Sequence, residues 1–444
     1  MICVKLQGSP GAHDDDPRKE APRRRAAADS LIMADPHIGR RLTLGAGKTV
    51  SLTVLLLCQV LAMSVWFASS AAVSSIEQAV PLTAWQASLL TSSVQAGFVA
   101  GTIGSAVLGL ADRFDPRRLF MASALVAAGA TLMLLACEPA GPAVYFLRFV
   151  TGMCMAGIYP VGMRLAATWA ERDLGLLIGL LVGALTLGSA SPHLLAAFGG
   201  MQWPQIYLAS ALLAAVAGLA INLCGVGPAM RRAARLNPAA VTLAWRHRPL
   251  RLANLGYLGH MWELYAMWAW LAVFLHESFT RAGVAAPDRA AEIMTFVALG
   301  SGALGAWAGG WFADRYGRTA VTIAAMAGSG TCALAMGWLM DAPSFVVGAV
   351  AIAWGITIVA DSAQFSASIA ELAPPDSIGT LLTAQTCAGF LLTLVSIHLL
   401  PAVQHAIGWA GAFGMLAAGP FFGCLAMLRL RRDPASRTLA HGKR

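Results

Sequence analysis

The sequence predicts an all-α membrane protein of twelve transmembrane helices in two pseudo-symmetric six-helix halves. Three observations carry this. Hydrophobic residues make up 57% of the 444-residue chain and charged residues only 12%, roughly half the charged share of a soluble domain. Twelve apolar runs approach the roughly 20 residues that a helix needs to cross a bilayer. A short charged loop recurs in each half, with Asp112 and Asp314 lying 202 residues apart.

In order, the predicted spans are 50–72, 84–108, 119–137, 142–168, 174–198, 204–226, 251–275, 293–311, 319–340, 344–370, 378–401 and 408–428. Helices are expected because every backbone amide in hydrocarbon must find a partner within its own segment. The short alternating strands of a membrane barrel are absent from the pattern. The organisation that follows is a tail (1–49), an amino-terminal half (50–226), a basic linker (227–250), a carboxy-terminal half (251–428) and a basic tail (429–444). Residues 1–49 mix short charge blocks with Pro, Gly and Ala and read as disordered. They lack the apolar core of a signal peptide, and Met33 opens a shorter lead-in that is an alternative start.

All but four of the 31 Lys and Arg fall in the tails and in loops on one side; Arg281 and Arg289 lie on the other, and Arg148 and Arg164 within the fourth span. Both termini are therefore expected in the cytoplasm of a bacterial-type inner membrane. This bias accounts for the net charge of +9, so a basic face against anionic lipid suffices and no nucleic-acid partner is needed. The eight cysteines form no CxxC pair and read as small packing residues. No GxxxxGK[ST], HExxH or GxSxG element occurs, and the soluble segments are too short for a catalytic core, so neither ATP-driven transport nor an enzyme is expected.

The repeated loop is GLADRFDPRRLF at 109–120 and GGWFADRYGRTAVT at 309–322. It resembles the cytoplasmic signature Gly-x-x-x-Asp-Arg-x-Gly-Arg of the major facilitator superfamily of secondary transporters, and the resemblance covers about 50–430. The second copy matches at Gly310, Asp314, Arg315, Gly317 and Arg318. The first keeps Asp112 and Arg113, but Leu108, Asp115 and Pro116 replace the two glycines and the last arginine. The resemblance implies that these residues form a conformational latch; plain topogenic charge is the alternative for the first copy. Small-residue rows at Gly97, Gly101 and Gly104, at Gly175, Gly179 and Gly183, and at Gly302, Gly305 and Gly309 are expected to let backbones approach closely. The Gly-Pro-x-x-Gly-Gly element of many drug antiporters is missing from the fifth span.

The resemblance also implies that the first, fourth, seventh and tenth helices line a central cavity. Each carries one helical stripe of polar and aromatic residues. They are Gln59, Met63, Trp66 and Ser70; Arg148, Gly152, Met155 and Tyr159; Tyr257, His260, Glu263, Met267 and Trp270; and Trp354, Thr357, Asp361, Gln364 and Ser368. An unpaired charge in the bilayer costs at least about 2.5 to 3.5 kcal/mol, so Arg148, Glu263 and Asp361 should face the interior. Proton coupling through Glu263 and Asp361 is the expectation, with a fixed pair between Glu263 and His260 or another basic residue left open. Arg148, with Gly152, resembles the family's Arg-x-x-x-Gly and is expected to anchor a substrate or steer a proton.

The function that follows is secondary transport of a small organic solute, anionic or amphiphilic, by alternating access with protons as partner, without a cofactor and as a monomer in lipid. Alternatives are a copper(I) importer using Met63, Met155, His260 and Met267, an efflux antiporter, and a membrane sensor or scaffold. For copper, His260 and Met267 stand about 10 Å apart along one helix.

Overall fold

Helix-start signals and the positions of prolines and glycines set the element boundaries. The computed structural model describes residues 47–171, 173–198, 202–229 and 237–443, and all regular elements among them are helical. The expected disorder of the amino-terminal tail and the alternative start at Met33 lie outside the described residues, as does 230–236 of the linker.

Helix α1 runs Lys48–Met63 and, after a break, Ala68–Ala79; α2 is Ala84–Leu108; α3 is Pro116–Met133; α4 is Pro142–Met155 and, after a second break, Tyr159–Ala167. They are followed by α5 (Leu174–Ala197), α6 (Trp203–Ala220), α7 (Arg248–Arg281), α8 (Pro287–Tyr316) and α9 (Arg318–Trp338). Helix α10 is Ser344–Ala360 and Ser362–Leu372. The segment Ile378–Arg432 is interrupted at Ile407 and Gly408, giving α11 (378–406) and α12 (409–432).

The starts follow local chemistry. Thr83 and Gln86 form a reciprocal capping box at α2, and prolines occupy the first turns of α3, α4, α6, α7 and α8, where no backbone N–H is lost. Nine helical segments among the described residues are long and apolar enough to cross a membrane, and one of them holds both α11 and α12. Helices α2 and α7 are long enough but more polar, carrying Gln95 and the pair His260 and Glu263 respectively. Helix α7 also exceeds its expected span at both ends. The apolar run stops where charge begins, whereas the helix continues through His276, Glu277 and Arg281.

Helix α2 packs on α4, α3 on α6, and α1 on α5 and α6; α8 and α9 pack on α10, and α7 and α9 on the Ile378–Arg432 segment. Two seams join the first six helices to the last six, α5 against α8 and α2 against α11; at the second, Ser92 Oγ and His398 Nε2 are 2.9 Å apart. Glycines distinguish these contacts. A Cβ on Gly97 or Gly101 would overlap the α4 backbone at Phe149 and Met153, and one on Gly305 or Gly309 the α10 backbone at Ile356 and Ala360. Across the α5–α8 seam, a Cβ on Gly175, Gly179 or Gly183 would meet its nearest neighbour at 3.7, 3.7 and 3.4 Å, ordinary contact. Gly104 has no neighbour within 4 Å of such a Cβ, so it does not contribute to the row expected of it.

The perimeter is apolar: Phe146, Leu219, Leu304, Trp307, Phe345 and Phe422 are all more than half exposed, a belt suited to lipid and not to water. The carboxy-terminal segment Pro434–Gly442 is helical and docked, with Leu439 buried and the Ala440 N–H bonded to Glu371 at 2.9 Å.

Candidate functional site

Three of the four helices expected to line the centre are broken, α1 at 64–67, α4 at 156–158 and α10 at Asp361, while α7 is continuous. In α4 the cause is Pro160, which has no N–H for the Ala156 carbonyl. In α1 the Ser64 hydroxyl bonds the Leu61 carbonyl at 2.7 Å, competing with the helix ladder. Discontinuous helices leave backbone groups to be satisfied by something else, which is how membrane proteins build polar sites in hydrocarbon.

Arg148 of α4 meets that need at the first break. It is fully buried, and its guanidinium donates to the Trp66 carbonyl at 2.7 Å and the Leu90 carbonyl at 3.4 Å, leaving Nη1 without a partner. It joins α1, α2 and α4 through backbone oxygens and touches no carboxylate among the described residues.

Aromatic rings close the place where the two sets of helices meet. Trp66 packs on Phe98, Tyr265 and Phe390, and Phe67 on Tyr265 and Trp268. These rings come from α1, α2, α7 and α11. Tyr159 packs, partly buried, against the core that contains Tyr257 and Tyr265. Around them, both polar atoms of the Gln59 and Gln95 carboxamides and the indole nitrogens of Trp66 and Trp268 are buried without hydrogen-bond partners.

The expected stripe of α7 does not face this centre as a unit. Its members diverge because α7 is packed on several sides. His260 turns to the α10 break, with Nδ1 2.9 Å from Asp361 Oδ1 and Nε2 2.9 Å from Ser362 Oγ. The contact with Asp361 is one of proximity, since Oδ1 has no formed hydrogen bond. Glu263 turns to α9 and α10, accepting from Ser329 Oγ and Trp354 Nε1, both at 2.8 Å. So Glu263 pairs neither with His260 nor with a cation among the described residues, and Trp354 serves it instead of lining the centre. Trp270 donates to the Ile397 carbonyl of α11. Met63 lies against Gly188 of α5 while His260 is occupied on α10, so the soft-ligand alternative finds these two engaged elsewhere. Met155 and Met267 are buried in the same core.

The repeated loops lie on the same face of the bundle, and the docked tail meets the second of them at Asp314. In the second copy Arg318 bonds Glu371 at 2.6 Å and Gln364 at 2.7 Å, with Asp314 at 3.8 Å. Gln364 therefore belongs to this network and not to the centre. Gly317 joins α8 to α9 at φ +98°, a conformation that side chains resist. Arg315 stacks over Trp311 at 5.5 Å, and a Cβ on Gly310 would meet nothing within 4 Å.

The first copy reaches a comparable turn by other means. Gly109 ends α2 at φ +61°, and Asp115 caps α3 by accepting from the Arg117 N–H at 2.9 Å. Burial pushes the Asp115 carboxyl up, but the side-chain and backbone hydrogen bonds of Arg117 outweigh it and hold the group below its usual range. Asp112 pairs with Arg164 at 2.7 Å, and Arg113 is exposed. At the base of α1, the Lys48 ammonium bonds Asp173 at 2.8 Å and holds that carboxyl low.

The model of the Major Facilitator Superfamily matches residues 55–396. The chain belongs to the Major Facilitator Superfamily. It is thus an integral membrane protein and a secondary transporter. Among solved structures, that of a mutant of the nucleoside transporter NupG is similar to it at 15% identity, with a TM-score of 0.69, covering 86% of this chain and all of that one; this shows the shared superfamily fold. No curated protein matches the chain.

Within this superfamily member, the opposite face holds a cavity of about 430 Å³ lined by Ser74, Gln78, Gln202, His276, Asp288 and Glu292 among others. There His193 of α5 pairs with Glu292 of α8 at 2.6 Å. Sequence reasoning passed over Gln95, Tyr265, Phe390, Ser329 and Ser362. Gln95 was within reach of the same periodicity, since Thr91, Gln95 and Phe98 repeat at +4 and +7 on α2.

Proposed function

We propose that this chain moves a small organic solute across a bacterial-type inner membrane by alternating access, coupled to protons, as a monomer with both termini in the cytoplasm. The observation that carries the reading is the second part of α10. Its first turn holds Asp361 and Ser362 against His260, while Gln364 and Glu371 further along hold Arg318 of the latch. Protonating Asp361 removes its attraction for His260 and frees the first turn of a helix whose other end grips the latch. A proton at the buried pair thus loosens the basic face.

The arrangement of the two faces supports the same cycle. On the basic face ion pairs and the docked tail brace each set of helices, the centre is closed by aromatic rings, and the opposite face has a cavity. Glu263 is a second carboxylate held by neutral donors alone, so its two protonation states differ by a full buried charge. A solute selected by a thermal-shift screen provides the test in proteoliposomes. Asp361→Asn should lose uptake driven by a pH gradient by at least about tenfold, yet retain solute exchange. Unchanged pH dependence in both Asp361→Asn and Glu263→Gln would sink the assignment.

A further inference from the structure

The ring-lined centre is unusual in what it leaves unpaired. Helix α1 presents Trp66 and Ser70, and α2 presents Thr91, Gln95 and Phe98. Ser70 Oγ and Thr91 Oγ1 are 2.7 Å apart, and Trp66 packs on Phe98 at 5.1 Å. These two contacts set Gln95 level with Trp66. Its carboxamide is fully buried, and neither Oε1 nor Nε2 has a partner. The indole nitrogens of Trp66 and Trp268 and the free Nη1 of Arg148 add donors. Buried polar groups without partners are costly, so a cluster of them calls for a ligand that supplies the missing bonds.

The rings define the ligand's shape. Trp66 and Tyr265 are near parallel, 18° apart with centroids at 6.2 Å, and they belong to opposite sets of six helices. Parting the helices to a ring separation of about 7 Å, twice a contact distance of roughly 3.5 Å, makes a slot one aromatic ring thick. The charge at hand selects among flat ligands. Arg148 is committed to two backbone carbonyls, which leaves it poorly placed to clasp a carboxylate in bidentate fashion. Asp361 and Glu263 face other neighbours and offer nothing to a cation here.

We infer that the centre takes an uncharged, flat heteroaromatic solute with hydrogen-bond donors and acceptors on its edge, stacked between Trp66 and Tyr265 and read by the Gln95 carboxamide. Gln59, about two turns from Trp66 on α1, is the next polar group along the path toward the basic face. This rests on the transport reading and names the class of solute for it.

The experiment measures binding by the purified full-length chain through thermal shift and tryptophan fluorescence. The probes are adenine and uracil as neutral rings, benzoate as a flat anion and tetraphenylphosphonium as an aromatic cation. At least one neutral ring should bind more tightly than benzoate and tetraphenylphosphonium. Gln95→Leu keeps the volume but removes the carboxamide, so it should melt at or above the wild-type temperature while binding that ring at least about tenfold more weakly. A residue that merely packs would not separate stability from binding in this way. The inference is overturned if the charged probes bind and both neutral rings do not, if none of the four binds, or if Gln95→Leu binds the ring as the wild type does. Proton-linked uptake is scored separately: a neutral ring that binds through Gln95 but moves without protons contradicts the coupling and leaves the solute class standing.

Discussion

Arg148, Glu263 and Asp361 each sit buried in a helix that the sequence placed in hydrocarbon, and each solves the problem of its charge differently. Arg148 spends two donors on carbonyls, one of them freed by the break in α1; Asp361 has His260; Glu263 has two neutral donors. Burial of all three was legible from composition, because stray charge at that depth is too costly to leave facing lipid. Their partners were not legible, because a helical stripe fixes a direction on one helix and says nothing about the neighbour in that direction. Lysine offers a point charge and no planar fork, so Arg148→Lys should fail to hold both carbonyls. Thermal melts in detergent should show a loss of about 1–3 kcal/mol, the cost of leaving buried carbonyls unpaired.

Among elements, the two repeated loops carry a full and a partial copy of one signature and turn by different means. The second copy relies on Gly317, whose positive φ makes Gly317→Ala strained by about 1–3 kcal/mol, and the corresponding loss should appear as a lowered melting temperature. The first copy relies on the Asp115 cap. Because the folded Asp115 carboxyl lies below its unfolded value, its contribution is present above the unfolded value near 3.9 and is lost as pH falls through the folded one. Asp115→Asn should therefore melt earlier than the wild type at neutral pH, and the difference should shrink below about pH 4. The match of the second copy was readable directly. The substitute cap in the first was not, since Asp115 and Pro116 read as departures from a motif until their place at a helix start is known. Helix positions followed from apolar runs, whereas helix ends did not, because α7 and α8 continue into water past their apolar stretches.

At the scale of the whole molecule, glycine contacts differ between the interiors of the two sets of helices and the seam that joins them. Helices within each set touch backbone to backbone, as at Gly305 on Ile356, while the α5–α8 seam is ordinary van der Waals contact. Gly305→Ala should therefore destabilise the chain strongly, whereas Gly183→Ala should leave the melt nearly unchanged and alter transport rate, a pair of outcomes separable by melting and uptake assays. The helical fold was visible in the sequence because lipid imposes it on every span, and the repeat because both copies keep Ala-Asp-Arg. The closure of the centre by Trp66, Phe67, Tyr265, Trp268 and Phe390 was not, because it depends on how one set of helices meets the other.

The central claim is that protonation at the α10 break is linked to opening of the basic face. Spin labels at Glu171, in the loop before α5, and Tyr316, at the end of α8, report that opening as a distance in proteoliposomes. The account predicts two distance populations whose ratio changes with pH in the wild type and ceases to change in Asp361→Asn. A single distance, unchanged with pH in the wild type, would contradict it.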